Sequence, residues 1–244
     1  MFNLVPRKQS QAEIFSAYNW WDQSCLLLRI NNERIDYIES CIDRAFGRES
    51  LRQEEILEVG CGGGLICEHL ARRGAIAEGI DPSSAALEKA RAHIQQSNLG
   101  QAVHFQQGYA EALPYANGSF SVIISLDTLE HVQDLNATIR EIARVLAPGG
   151  IFIFDTINRT WISRLVLIWI GERLFQKNGL LPGLHDYHHF IKPHELLTIL
   201  NTHHLDVQEI KGFMPRITKR RLTLGPGWFK GVSYVGYALK KPLY

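Results

Sequence analysis

Two acids and an imidazole lie close together in the stretch SLDTLEHVQD, residues 125–134. Asp127, Glu130 and His131 are spaced i, i+3 and i+4, so a helix beginning here would present all three on one face. The apolar run that precedes them predicts a buried strand. Carboxylates and an imidazole can hold a divalent cation, and each of them can also move a proton. The alternative is a solvated helix start, because carboxylates favour the positive N-terminal end of a helix.

The overall composition limits the partners and the compartment. The 244 residues include 26 Lys and Arg against 25 Asp and Glu, which gives a formal net charge of +1. This balance favours no nucleic acid partner. Four cysteines show neither metal-ligand nor dense disulfide spacing, and the N-terminus has no signal-peptide core, so the sequence predicts a cytoplasmic protein. The longest apolar stretch, residues 165–170, is shorter than the ~20 residues that span a bilayer.

Strands and helices alternate from residue 54 onward. Apolar runs predict strands at residues 56–59, 77–80, 103–106, 120–126 and 151–155, and amphipathic segments predict helices at 65–73, 84–97 and 136–146. Two closing strands are expected at 205–212 and 233–240. Parallel β-α-β units are right-handed in ~98% of cases, which yields a doubly wound sheet. The prediction is an α/β fold with a mostly parallel seven-stranded sheet, N-terminal helices and a helical insertion.

A glycine-rich loop follows the first predicted strand in ILEVGCGGGL, residues 56–65. Gly60, Gly62 and Gly64 allow a tight turn and a close approach of the backbone to a ligand; a plain tight turn is the alternative. Asp81 ends the second strand, where an acid can accept hydrogen bonds from ribose hydroxyls. A dinucleotide site needs a glycine at the sixth position of the loop, which is Leu65 here.

These features resemble class I methyltransferases that depend on S-adenosylmethionine (SAM). The resemblance covers roughly residues 50–160 and includes ARVLAPGGIFIFDT, residues 143–156, with its Pro-Gly-Gly turn before a strand. It implies SAM as the cofactor, with a dehydrogenase as the distant alternative. In many relatives an acid at the position of Tyr109 binds the adenine amino group. The change to Tyr109 predicts that adenine is held by backbone groups or by stacking on the ring.

Four separated stretches narrow the resemblance to the ubiquinone biosynthesis O-methyltransferases, which methylate a hydroxyl of a polyprenylated catechol. The stretches are WWD at 20–22 with Arg34 beyond it, VGCGGG at 59–64, DTLEHV at 127–132, and TINR at 156–159 with HDYHHFIKPHEL and LGPG after it. The resemblance implies that SAM contacts Arg34, Gly60, Asp81 and Leu126. The family more often carries Glu where this chain has Asp127.

The same resemblance links Asp127, Glu130 and His131 to a divalent metal. A bound cation lowers the pKa of a catechol hydroxyl and positions its oxygen for attack on the methyl sulfonium. The ligands suit Mg²⁺ or, less specifically, Zn²⁺, and the short arm of Asp127 predicts a looser site. Without a metal, His131 would take the hydroxyl proton as a general base. The three residues are therefore predicted both as catalytic residues and as metal ligands.

Residues 158–192 fit none of the β-α-β units and are interpreted as an insertion. Its apolar stretch, WISRLVLIWIGERLF at 161–175, predicts either a core helix or an interfacial helix that contacts the bilayer. The basic cluster at 216–221, near Trp228, predicts either attraction to anionic lipid or a solvated loop.

Four histidines crowd the stretch HDYHHFIKPHEL without the spacing of a zinc motif. Surface or hydrogen-bonded loop histidines are the plain interpretation for most of them. His185 and Asp186 match the family, and we expect this pair to orient a lid over the substrate.

The sequence thus predicts one domain in four parts. Residues 1–50 form a helical segment that caps the cofactor site, 51–157 the SAM-binding core, 158–192 a lid or membrane-contact insertion, and 193–244 a C-terminal helix with closing strands. The predicted function is SAM-dependent O-methylation of a prenylated phenol in ubiquinone biosynthesis, with peripheral membrane contact and partners in a biosynthetic complex. The alternatives are a methyltransferase for another phenolic or lipid acceptor, and a SAM- or lipid-binding module without turnover.

Overall fold

A sheet of eight strands forms the centre of the computed structural model, which describes residues 18–22, 25–47, 51, 54–172, 185–218 and 221–241. The strands are β1 Glu55–Val59, β2 Ile76–Asp81, β3 Val103–Gln107, β4 Phe120–Ser125, β5 Leu146–Ile157, β6 Leu205–Thr218, β7 Arg221–Gly227 and β8 Ser233–Lys240. Their order in the sheet is β3-β2-β1-β4-β5-β8-β6-β7. Strands β1 to β5 pair in parallel, whereas β5–β8, β8–β6 and β6–β7 pair antiparallel.

Helices cover both faces of this sheet. They are α1 Leu26–Phe46, α2 Leu65–Arg72, α3 Ser84–Gln96, α4 Leu135–Val145, α5 Trp161–Ser163 with its π-helical continuation Arg164–Gly171, a 3₁₀ turn Tyr187–His189, and α6 Pro193–Thr202. The side chain of Ser83 accepts the backbone N–H of Ala86 at the start of α3, and Asp134 accepts that of Ala137 at the start of α4. Pro193 lies in the first turn of α6, where a missing N–H does no harm.

Alternate residues of the central strands enter two separate apolar cores. Ile56 of β1 belongs to one core and Leu57 to the other, and β4 divides Val122 and Ile123 in the same way. Successive side chains of a strand point to opposite faces, so α1 and α2 cover one face of the sheet while α4 and α6 cover the other. Because these strands are buried on both faces, their sequences are continuously apolar.

The five parallel strands and the helices between them confirm the predicted doubly wound α/β fold. The sheet has eight strands rather than the predicted seven, because β7 forms where the sequence predicts a loop. Gly225, Pro226 and Gly227 favour a turn. However, β7 lies at the edge of the sheet, and an edge strand tolerates proline.

The stretch that follows β4 is a loop and not the start of a helix. Helix α4 begins only at Leu135. Asp127 has a backbone φ of 48°, in the left-handed region that a right-handed helix does not contain. The expectation that Asp127, Glu130 and His131 share one helix face is therefore wrong.

Some sequence predictions fall outside the described residues. They concern residues 1–17 of the N-terminal helical segment, the second half of the insertion at 173–184, and the basic side chains at 216–221. Within the described ranges, no helix is long and apolar enough to cross a membrane. The four predicted chain boundaries stay predictions.

Candidate active site

The glycine-rich loop lies between the end of β1 and the start of α2, at the carboxyl edge of the sheet. Gly60 and Gly62 have backbone φ angles of 79° and 49°, which residues with a side chain rarely adopt. A Cβ on Gly60 would lie 2.2 Å from Oγ1 of Thr128, so the packing also excludes a side chain there. Gly64, with a φ of 76°, is the N-cap of α2. The loop therefore presents backbone, not side chains, to a ligand.

The indole ring of Trp20 lies against this loop. A Cβ on Gly62 would lie 2.6 Å from the ring, and one on Gly63 would lie 2.2 Å from it. Trp20 is buried and packs in a small cluster with Tyr18 and Leu65. Such a contact is what a cap over the cofactor site requires.

Asp81 closes β2 and fixes the backbone beside it. Its carboxylate accepts the backbone N–H of Gly62 at 2.9 Å and that of Ser83 at 2.8 Å. Burial raises the pKa of Asp81, and these two N–H donors oppose the rise. Tyr109 lines the same cavity and is exposed, so a face of its ring is accessible for stacking.

An ionic cluster of the buried Arg34 and Asp155 and the partly exposed Asp127 joins α1 to the carboxyl ends of β4 and β5. Nη2 of Arg34 lies 2.7 Å from Oδ2 of Asp127 and 3.0 Å from Oδ2 of Asp155. The backbone N–H of Asp127 donates to Oδ1 of Asp155 at 2.6 Å, which supports the left-handed conformation of Asp127. Burial alone would lower the pKa of Arg34, but the two aspartates outweigh it and raise that pKa. Within the described chain, Nε of Arg34 is buried without a hydrogen-bond partner, which leaves a donor for an anionic ligand.

Glu130 is buried and does not contribute to the cavity wall. One of its oxygens accepts a 2.7 Å hydrogen bond from the hydroxyl of Thr156. Burial and, after it, Asp127 raise the pKa of Glu130 to about 8. The carboxyl group is therefore mostly protonated at neutral pH.

Three histidines from two segments line the cavity. His131 comes from the loop after β4, and His185 and His189 come from the segment that leads to α6. The ring centroids of His131 and His185 are 5.9 Å apart. Burial and, after it, the neighbouring His185 lower the pKa of His131 to about 3. His131 is neutral at neutral pH, and so low a pKa makes it a weak base.

The three residues predicted as metal ligands are not arranged as a ligand set. Arg34 engages Asp127, and Glu130 is absent from the cavity wall. The described ranges contain no group of three or more His, Cys, Asp or Glu side chains placed to hold a metal ion. A divalent cation needs ionised oxygen ligands that converge, and this arrangement does not fit one. The Mg²⁺ or Zn²⁺ site stays a prediction.

Most of the predicted site residues meet around one cavity of about 1130 Å³. Ligand pockets commonly measure roughly 300–1000 Å³, so this volume has room for a cofactor and a second molecule. The predicted residues that line it are Arg34, Gly60, Gly62, Asp81, Tyr109, Leu126, Asp127 and His131. The other two, Gly64 and Glu130, are not part of the lining.

Sequence reasoning missed Asp155 and Glu172, and it noted Glu58 before the glycine loop without giving it a role in the site. Asp155 lies in β5 after a buried apolar run, at the same sheet edge as Asp81. The rule that identified Asp81, an acid at the carboxyl end of a buried strand, would also have identified Asp155. Glu58 lines the cavity, and burial raises its pKa to about 8 although Cys67 opposes the rise. Glu172 contacts the ring of His185, and no sequence spacing points to that pair.

Comparisons with known proteins agree with this fold and site. The family described as a methyltransferase domain matches residues 57–154. The structure of a SAM-dependent methyltransferase from Aquifex aeolicus is similar, with a TM-score of 0.62, 14% identity and coverage of 96% of this chain and 100% of its own. A SAM-dependent methyltransferase from Methanosarcina mazei gives a TM-score of 0.59 at 22% identity and covers 79% of this chain and 94% of its own. The matched domain is that of a methyltransferase, and these structures share the fold of this chain.

Closer relatives narrow this class. The ubiquinone biosynthesis O-methyltransferase of Nitrosococcus oceani is 36% identical over 98% of this chain and 97% of its own. That of Bartonella quintana is 34% identical over 82% of this chain and 83% of its own. That of Alkalilimnicola ehrlichii is 41% identical over 74% of this chain and 71% of its own. This chain belongs to the ubiquinone biosynthesis O-methyltransferase family, as its motifs predict.

Proposed function

We propose that this chain transfers the methyl group of SAM to a hydroxyl of a polyprenylated catechol in ubiquinone biosynthesis. The cavity carries the proposal, because the glycine loop and Asp81 line one part of it and apolar side chains of the insertion and closing strands line another. A catechol with a long hydrocarbon tail needs both environments. The names of the relatives point to the same pathway.

The residues around the glycine loop suit each part of SAM. When bound, SAM supplies a methyl group on a positively charged sulfur. Asp81 is placed to accept hydrogen bonds from ribose hydroxyls, and the exposed ring of Tyr109 offers a stacking surface for adenine. The buried guanidinium of Arg34 is suited to the carboxylate of the methionine end. Leu126, directly after β4, lines the same cavity.

The prenyl tail is expected to follow the apolar part of the wall. That part consists of Ile162, Val166, Leu167 and Ile170 from the insertion, and Phe213, Met214, Leu224 and Phe229 from the closing strands and the loop after them. Burial of each CH₂ group contributes about 0.8 kcal/mol. Affinity for the acceptor therefore rises steeply with tail length until the tail leaves the cavity.

We also infer a peripheral membrane contact through the insertion. Trp161 and Trp169 have 72% and 56% of their surface exposed, and Leu165 between them is exposed as well. Exposed aromatic and aliphatic residues on one helical segment are typical of the bilayer interface. Ile170 of the same segment lines the cavity, so a tail could pass from the bilayer into the site along this segment. Trp228, with 80% exposed, adds a second aromatic anchor.

Sedimentation with vesicles of anionic phospholipid tests this contact. The double variant Trp161→Ser/Trp169→Ser is expected to lose about tenfold or more in vesicle binding while its affinity for SAM stays unchanged. Equal binding of the wild type and the double variant to the vesicles would show that these two tryptophans of the insertion do not contact the membrane.

Methyl transfer from labelled SAM to a short-chain prenylated catechol tests the function itself. We expect transfer by the wild type, with or without EDTA, and a higher rate than with untailed catechol. Inhibition by EDTA would restore a metal to the mechanism. Transfer to other phenols or lipids, and not to the prenylated catechol, would show that the acceptor belongs to another chemical class. SAM binding without transfer to any acceptor would show that the protein is a binding module and not an enzyme. Contacts with partner enzymes of a biosynthetic complex stay a prediction.

A further inference from the structure

A histidine and a glutamate form a hydrogen-bonded pair outside the predicted catalytic motif. Nδ1 of His185 lies 3.2 Å from Oε1 of Glu172, and the backbone N–H of His185 donates to the same oxygen at 3.0 Å. The side chains are 9% and 7% exposed. Glu172 directly follows the π-helical segment Arg164–Gly171, whereas His185 lies two positions before the first residue of the 3₁₀ turn Tyr187–His189. Two contacts from one carboxylate oxygen thus fix both the backbone and the ring of His185.

The ring of His185 is also part of the cavity wall. It lies near the ring of His131, at 5.9 Å between centroids, and near that of Phe190, at 6.1 Å. A carboxylate oxygen at Nδ1 selects the tautomer with its proton on Nδ1. Nε2 is then the ring nitrogen that can accept a proton.

The acids of the predicted trio have other roles in the structure. Asp127 is engaged by Arg34, and Glu130 does not line the cavity. His131 and His185 both line the cavity, and a ring nitrogen of His185 contacts the buried carboxylate of Glu172. A general base works best when a second group orients it and stabilises the cation that forms.

We propose that His185 is the catalytic base for the acceptor hydroxyl and that Glu172 is its positioning residue. This proposal rests on the proposed O-methyltransferase function. The hydroxyl oxygen forms a bond to the methyl carbon while the carbon–sulfur bond breaks, and the electron pair of that bond stays on sulfur. The hydroxyl proton passes to Nε2 of His185, and the resulting imidazolium is balanced by the carboxylate of Glu172. The products are the methyl ether, S-adenosylhomocysteine and a proton, which leaves His185 for solvent.

The test uses two acceptors that differ in acidity. One is a short-chain prenylated catechol, and the other is its nitro-substituted counterpart, whose hydroxyl is already largely ionised at the assay pH. His185→Gln is expected to lower kcat for the plain catechol by about 10²- to 10⁴-fold, the usual contribution of a general base, and kcat for the nitrocatechol by less than tenfold. Glu172→Gln is expected to lower kcat for the plain catechol by roughly ten- to a hundredfold, the rate equivalent of one charge-assisted hydrogen bond. His188→Gln is the matched control, because His188 is exposed and absent from the cavity wall.

The ratio of the two rates is measured within one preparation, so a partly unfolded variant does not distort it. Calorimetric titration with SAM, expected to give the same affinity for all variants, reports the folded site separately. If His185→Gln lowers kcat equally for both acceptors, or lowers neither, the assignment of His185 as the base is wrong. Methyl transfer by the wild type would still support the proposed function in that case. Restored activity in Glu172→Asp relative to Glu172→Gln would support the positioning role. If the wild type transfers to neither catechol, the proposed function fails and the base assignment fails with it.

Discussion

The buried carboxyl group of Glu130 links folding stability to pH in a way that one substitution can isolate. Glu130→Gln keeps the size of the side chain and removes its ionisation. Burial raises the pKa of Glu130 to about 8 in the folded protein, against an ordinary value of 4.5. Between these two values the unfolded chain has released a proton that the folded chain retains. The stabilisation is therefore complete below pH 4.5 and is lost as the pH rises towards about 8.

The expected slope is about 1.4 kcal/mol of unfolding free energy for each pH unit within this window. Across the whole window the loss is on the order of 5 kcal/mol, which is comparable with the total stability of many domains, about 5–15 kcal/mol. The amide of the variant can still accept the hydroxyl of Thr156 through its oxygen. Its NH₂ group takes the position of the oxygen that has no hydrogen-bond partner among the described residues, where the O–H of the protonated carboxyl group lacks an acceptor in the same way.

The assay is urea unfolding of the wild type and of Glu130→Gln between pH 5 and pH 8. We expect the difference in unfolding free energy to change by a few kcal/mol over this range, in favour of the variant at higher pH. Glu58 has a pKa raised in the same direction, so only the difference between the two proteins is diagnostic. Glu55→Gln, at an exposed site, should follow the wild type. Parallel curves for the wild type and Glu130→Gln would show that Glu130 is ionised in the folded protein and would refute the reasoning.

Three further predictions concern the cofactor side. Asp81→Asn removes the charged acceptor beside the loop and is expected to weaken SAM binding roughly ten- to a hundredfold in calorimetry; an unchanged affinity would contradict its role. Gly62→Ala forces a side chain onto a φ of 49° and against Trp20, so we expect a loss of about 2–5 kcal/mol in urea unfolding, which a wild-type midpoint would disprove. Arg34→Met leaves the buried Asp155 and the partly exposed Asp127 without their cation, and thermal unfolding should reveal a loss of roughly 3 kcal/mol, the lower end for a broken buried pair because solvent screens Asp127; a stability equal to that of the wild type would mean that the cluster is not ionised.

The sequence predicts the features that depend on neighbouring residues. The glycine loop, the strand before it and Asp81 follow from local signals, namely an apolar run, backbone freedom and the position of an acid at a strand end. The central strands β4 and β5 are buried on both faces, and their nearly continuous apolar runs indicate this directly.

Contacts between residues that are distant in the sequence determine the features that the sequence does not predict. Asp127 takes a left-handed conformation supported by a hydrogen bond to Asp155, 28 residues further along the chain, so the i, i+3, i+4 spacing of the motif could not reveal a loop. The contact between Glu172 and His185 also joins separate segments. Strand β7 forms because β6 offers it an edge, although its own Gly-Pro-Gly sequence favours a turn.

The position of β8 has a consequence for synthesis of the chain on the ribosome. β8 lies between β5 and β6, yet 76 positions separate Ile157 at the end of β5 from Ser233 at the start of β8. At about 5–20 residues per second, the nascent chain must hold an open edge on β5 for roughly 4 to 15 seconds. An unpaired, apolar strand edge is a template for association with other chains. The parallel half of the sheet is therefore exposed to co-translational aggregation until β8 emerges, and a chain cut between β6 and β8 would keep that edge permanently open.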